Sequence, residues 1–306
     1  MIARPEPNWL RMLFVWKGSV TPSIIPQLLL MLLVALLVMR TGGRIFGDKI
    51  PLTPAPFTLL GVALAIFLAF RNNASYERYG DARRLWGRLL IAARTLTTQL
   101  RCYVPSGAPD EVRQAFANRL IGLAYMLKHQ LRKTDPAHDL ARFIPGAELG
   151  PLSRSKYKSV RILRDLRAEL SAMHRSGLAS DTQLWMFDAQ LNELGAVVGG
   201  CERIAATPIP FAYGVLLHRT VYAYCLMLPF GLVDSIGMAT PVISVFVSYT
   251  LLGLEAIARE VADPFGLAPN SLALDAMTLT IERSVLELCD LPLPAEPGVG
   301  KGYLVT

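Results

Sequence analysis

Charge is scarce in this 306-residue chain: Asp, Glu, Lys and Arg make up 18%, against roughly 25% in an average soluble protein. With 52% hydrophobic residues and a mean hydropathy of +0.37, disorder is excluded. The apolar surplus asks for a bilayer or a large oligomer interface. Cysteines are few and scattered at Cys102, Cys201, Cys225 and Cys289, with no C-x-x-C pair, so they read as packing thiols. His129, His138, His174 and His218 lack metal-ligand spacing. P-loop, G-x-S-x-G and H-E-x-x-H motifs are missing too, so no enzyme activity, metal or cofactor is expected.

Long apolar runs are what the sequence does have. The first, Ile24 to Met39, ends at Arg40, and no small-x-small cleavage site follows it, so it reads as a retained span rather than a signal peptide. Ahead of it, Trp9, Leu10, Leu13, Phe14 and Trp16 form one side of a short amphipathic helix suited to a membrane interface. The second run is Phe57 to Phe70, after Pro51, Pro54 and Pro56. No proline follows Pro56 until Pro105, so one helix can continue from the bilayer into solvent. The third and fourth runs, Ile209 to Val233 and Thr240 to Ala258, flank a turn at Asp234, Gly237 and Pro241. Four spans put both termini on one side. Between spans two and three, residues 71–208 read as helices with charged faces. The tail from Pro292 to Thr306 reads as loosely draped.

The net charge of +7 and pI near 9.4 suit nucleic acid only if the bases form a patch on a soluble fold. Instead, 21 of the 31 bases but 13 of the 24 acids fall in 71–208, leaving that segment at +8 and the rest at −1. Arg4, Arg11 and Lys17 before span one, and Arg71, Arg78, Arg83 and Arg84 after span two, all fall on the same side. The positive-inside rule makes that side, with both termini, cytoplasmic.

Val62, Ile66 and Phe70 share one face of the second span, beside a small-residue stripe of Gly61, Ala65 and Ala69. If copies of this helix pack through the small stripe, the bulky one can line a narrow hydrophobic throat. Spacing alone leaves open that it faces lipid or core. Arg71, Asn72 and Asn73 either face a widened pore below the throat or tie helices and subunits together. Arg219 and Glu255 lie at matching distances from the Asp234 turn, which predicts an ion pair near the inner boundary.

Several motifs resemble the bestrophin family, in particular its bacterial branch. They are Phe70-Arg-Asn-Asn-Ala-Ser-Tyr-Glu-Arg-Tyr79, Arg84-Leu-Trp-Gly87, Cys201-Glu-Arg-Ile204, Pro208-Ile-Pro-Phe-Ala-Tyr213, Leu217-His-Arg-Thr-Val-Tyr222 and Asp263-Pro-Phe-Gly266. The likeness runs in order from Arg4-Pro5 to about Asp275. It implies an all-α membrane protein with four transmembrane helices and a large helical cytosolic domain, assembled as a homopentamer in a bacterial inner membrane. It also implies a neck at the positions of Val62, Ile66 and Phe70. Animal members carry an acidic calcium clasp after the last motif. Here the chain reads Leu267-Ala-Pro-Asn270 with only Asp275 nearby, too few carboxylates for calcium.

The expected organisation is an interfacial segment at 1–22, spans one and two at 23–70, the cytosolic domain at 71–208, spans three and four at 209–258, and a cytosolic end at 259–306. Lipid, monovalent ions and further copies of the chain are the expected partners, and nucleic acid is not. The bacterial branch implies sodium and potassium as the permeant ions. A chloride channel of the same fold is the alternative, and a membrane-anchored scaffold or sensor is the alternative of another class. Leu178 and Leu184 are candidates for a second, cytosolic constriction.

Overall fold

Proline spacing decides the longest element: a single 50-residue helix, α3 (Pro54–Tyr103), keeps Pro54 and Pro56 in its first turn and stops two residues before Pro105, a length of about 75 Å at about 1.5 Å per residue. The computed structural model describes residues 8–16, 18–45, 48–49, 52–105 and 109–296, without the side chains of Arg11 and Ile45. Arg4, Pro5, Lys17, Pro51 and the tail from Pro297 onward, all used in the sequence reading, lie outside the described residues. The chain divides into two compact units, Arg4–Tyr79 with Pro208–Pro264, and Gly80–Thr207 with Phe265–Thr306, and α3 has residues in both.

The apolar unit holds α1 (Trp9–Leu13), α2 (Thr21–Thr41), the start of α3, α9 (Phe211–Ile236) and α10 (Thr240–Val261). Pro22 and Pro241 sit in the first turns of α2 and α10, where a missing N–H leaves no bond unmade. Gly42, at φ 62°, ends α2 by letting the Gly43 N–H turn back to the Val38 carbonyl at 3.0 Å. A two-residue antiparallel hairpin follows, β1 (Arg44–Ile45) with β2 (Asp48–Lys49), and Arg44 pairs with Lys49. α9 and α10 are separated at Gly237 by a single turn of 3-10 helix, where the sequence placed a turn.

α10 packs on α2 and α9, around Met31, Leu64, Leu68, Val221 and Leu252. Three stretches, Thr21–Thr41, Pro54–Tyr103 and Phe211–Val261, are long and apolar enough to cross a membrane, and the last contains both α9 and α10. Only 17% of the apolar window in the α3 stretch is buried within the chain. Most of its apolar surface is therefore turned outward, toward lipid or other copies.

The second unit is built on α4 (Asp110–Arg132), with α5 (Ala137–Leu140), α7 (Lys158–Arg175), α8 (Asp181–Ala206) and α11 (Leu274–Leu288) packed against it. A shorter helix, α6 (Gly146–Ser153), packs on α7. α8 starts with a capping box: Ser180 Oγ accepts from the Gln183 N–H at 3.3 Å, and Gln183 Oε1 accepts from the Ser180 N–H at 2.8 Å.

Charges line the inner seams of this unit, each with partners, as burial requires. Arg119 donates to Glu148 at 2.6 Å and to Glu169 at 2.7 Å. Lys128 reaches Asp139 at 2.8 Å and Asp275 at 3.1 Å, and Arg132 reaches Asp275 at 2.5 Å. Buried Glu282 accepts from Tyr125 and Arg142. Asp275 and Glu282 are two turns apart, so one face of α11 is held by cations and a phenol. Burial alone would raise the Asp139 carboxyl, but hydrogen bonds from Lys128 and His129 overcome it and hold its pKa down at about 2.

A Cβ on Gly231 would meet the Phe57 ring at 2.4 Å, whereas one on exposed Gly199 meets nothing within 4 Å. Gly231→Val should therefore lower the melting temperature of the purified protein, at a cost of about 1–3 kcal/mol. Gly199→Ala should raise it by the helix-propensity gain of about 1 kcal/mol. For Asp139, the folded pKa lies below the ordinary 3.8, so its contribution is complete above that value and is lost as pH falls toward about 2. The fall in melting temperature between pH 5 and pH 3 should accordingly be shallower in Asp139→Asn than in wild type.

Candidate functional site

At about 100° per residue, α3 presents different residues to different sides. Phe57, Leu64, Leu68 and Ser75 are buried and mark the side facing the chain's own core. Val62, Ile66 and Phe70 centre about 180° away from that side. They are 58%, 50% and 62% exposed, so the chain's own core is not what they pack against.

The small-residue stripe divides between the two sides. Gly61 faces Tyr224 of α9, where a Cβ would come within 2.8 Å of the hydroxyl, while Ala65 and Ala69 are exposed. The small size expected to serve contact between copies is, at Gly61, used inside the chain.

The three residues below the stripe diverge. Arg71 turns inward, 11% exposed, with Nη1 3.7 Å from Glu255 Oε1. Asn72 Nδ2 donates back to the Leu68 carbonyl of its own helix at 3.0 Å. Asn73 is exposed and continues the face of Val62 and Ile66, within about 40° of both. Lower on the helix, Arg78 Nε donates to the Ala262 carbonyl at 2.7 Å. Above, Tyr213 donates to the Phe67 carbonyl at 3.1 Å. α3 is thus fastened to α9 and to the end of α10 on both sides of Arg71.

Glu255 is 3% exposed and has basic side chains from three helices around it. His218 Nδ1 of α9 lies 2.8 Å from Oε1, Arg259 Nη2 of α10 lies 3.5 Å away, and Arg71 of α3 completes the set. Arg219 is not among these partners, which corrects the pair expected from the sequence. Counting residues from the Asp234 turn fixes depth but not direction, and neighbours on a helix differ by about 1.5 Å in depth and about 100° in direction. The count therefore reached the right level and the wrong side chain. Arg259 was legible as an i+4 partner of Glu255. The Arg71 contact joins segments 184 residues apart and had no local signal. Leu178 and Leu184, the candidates for a second constriction, are both half-buried near the α7–α8 turn.

A family model described as Bacterial/Fungal Bestrophin protein matches residues 1–287. The voltage-dependent anion channel-forming protein YneE of Escherichia coli K12 is 44% identical over 309 residues, with 100% of each chain covered. The similarly named protein RSc3414 of Ralstonia nicotianae is 42% identical over 306 residues, again with 100% of each covered. A solved bacterial bestrophin homolog from Klebsiella pneumoniae has a TM-score of 0.85 and 45% identity, over 88% of this chain and 99% of its own. The described residues are helical apart from one short hairpin, an all-α membrane fold matching that solved structure.

A double-mutant cycle checks the corrected pairing. His218→Ala and Glu255→Gln should couple by more than about 0.5 kcal/mol in unfolding of the purified protein, whereas Arg219→Ala and Glu255→Gln should add within that margin.

Proposed function

Because the chain belongs to the bacterial and fungal bestrophin family, we propose that it forms a channel through which monovalent ions move passively, with Val62, Ile66 and Phe70 of α3 as its neck. It is a membrane protein and not an enzyme. The orientation of the three side chains carries this reading: a large apolar stripe, exposed on the side of α3 turned away from its own core. Copies of α3 set around an axis, five in the homopentamer that the resemblance implies, turn this stripe into a ring. Such a ring offers an ion no ligand and gates by wetting and dewetting. Asn73 then supplies a polar surface just below it, while Arg71 and Asn72 support the helix.

In this reading α2, the part of α3 down to Phe70, α9 and α10 span a bacterial inner membrane, and both termini and the 71–208 helices are cytosolic. The excess of Lys and Arg in that segment and beside the spans supports the orientation. The exposed Trp9, Phe14 and Trp16 suit the lipid interface.

The names of the Escherichia and Ralstonia relatives include the word anion, which favours chloride over the sodium and potassium expected from the sequence. Chloride is the reading adopted. Cation conduction stays as the second reading because the matching family is the bacterial and fungal one, the branch for which the resemblance implied cations.

In planar bilayers, Phe70→Ala and Ile66→Ala should each raise conductance or alter selectivity, and unchanged currents in both would remove the neck assignment. Under a sodium chloride gradient, a reversal potential displaced toward the chloride equilibrium potential supports the adopted reading, and the opposite sign supports cations. Purified, assembled protein that carries no ion flux in liposomes would instead favour a membrane-anchored scaffold.

A further inference from the structure

Beside the Glu255 cluster, where α9 begins and α10 ends, lies a cavity of about 500 Å³. Its charged lining consists of Arg71, Arg219 and Arg259, with His218, against Glu255 and Asp263. The charges do not balance. Glu255 is shared among Arg71, His218 and Arg259, and Asp263 also acts on Arg78. Three guanidiniums in the lining therefore face two carboxylates, one of which also serves Arg78 outside it. Arg219 is exposed, and none of the carboxylates of the described residues lies within ion-pair distance of it. Arg71 Nη1 is buried and has no hydrogen-bond partner among the described residues, since 3.7 Å to Glu255 is too long for one.

The rest of the wall is apolar. Pro208, Ile209, Pro210 and Val215 line it, and Phe211 at its rim is 86% exposed. Outward from the rim, Leu216 and Ile257 are exposed on the apolar stretches of α9 and α10. A surplus of guanidinium next to an apolar surface, at the level where two apolar helices end, matches a ligand with an anionic head and apolar tails. Guanidinium binds phosphate oxygens bidentately, and a cavity of this size accepts a small-molecule head.

We propose that this cavity binds the phosphate head of an acidic phospholipid, with Arg219 and Arg71 on the phosphate, Arg259 at its edge, and the acyl chains lying along Phe211 and Leu216. The assignment does not rest on the neck, because lipid binding is read without ion flux.

The test titrates the full-length protein in non-ionic detergent with dioctanoyl phosphatidylglycerol and reads the melting temperature. Dioctanoyl phosphatidylcholine has the same tails on a zwitterionic head, and sodium phosphate has the anion without tails. Phosphatidylglycerol should raise the melting temperature at concentrations where the other two do not. In Arg219→Gln, its midpoint should move about tenfold higher, the loss expected for one charged hydrogen-bonding partner. Arg219→Lys should fall between that variant and wild type. Equal midpoints for the two lipids, or an unmoved midpoint in Arg219→Gln, would overturn the proposal. Inorganic phosphate matching phosphatidylglycerol would assign the site to a free anion and overturn the lipid. The wild-type comparison of the two lipids decides the matter even if a variant fails to fold.

Discussion

A carboxylate buried in an apolar helix bundle needs partners, and Glu255 finds them on two neighbouring helices and on its own. α9 contributes His218, α3 contributes Arg71, and α10 contributes Arg259 one turn along. Removing a partner from such a cluster exposes the others to uncompensated burial, which costs far more than a surface ion pair gains. This requirement fixes the rotation of α3 about its own axis at Arg71, and the Arg78 and Tyr213 hydrogen bonds act in the same sense. Once that rotation is set, Val62, Ile66 and Phe70 have only one direction left, away from the core.

The two sides of α3 therefore depend on each other. Phe57 and Gly61 must fit α9 closely, with Gly61 admitting the Tyr224 ring and Gly231 admitting the Phe57 ring, while Leu64 and Leu68 join the shared apolar core. Lys49 and Asp234 also meet, at 2.9 Å, but both are half exposed, so the pair adds little beyond alignment. The apolar interlock and the buried charge cluster carry the placement.

Much of this was legible in the sequence because it is periodic or punctuated. The proline-free interval gave α3 its length, the turn at Gly237 separated α9 from α10, and the i, i+4, i+8 spacing singled out Val62, Ile66 and Phe70. Contacts that depend on direction around a helix, or on segments far apart in the chain, were not legible. A residue count led to Arg219 where the fold uses His218, and nothing local announced Arg71 as a partner of Glu255. Gly61, Ala65 and Ala69 are equivalent in spacing, and only the Tyr224 ring, from a distant segment, sets Gly61 apart. The compact apolar unit extends to Tyr79, past the last apolar residue of the run at Phe70, because Arg71 and Arg78 are bonded to α10 and its end.

The attachment of α11 to α4 has a consequence of its own. Asp275 is held by Lys128 and Arg132, positive charges that belong to the polypeptide. A diffusible cation in that position would come and go with its concentration, and the junction would have a binding constant. A cation covalently attached to the chain has none. The grip on this helix is thus set at folding and does not depend on a diffusible cation such as calcium or magnesium taking that place.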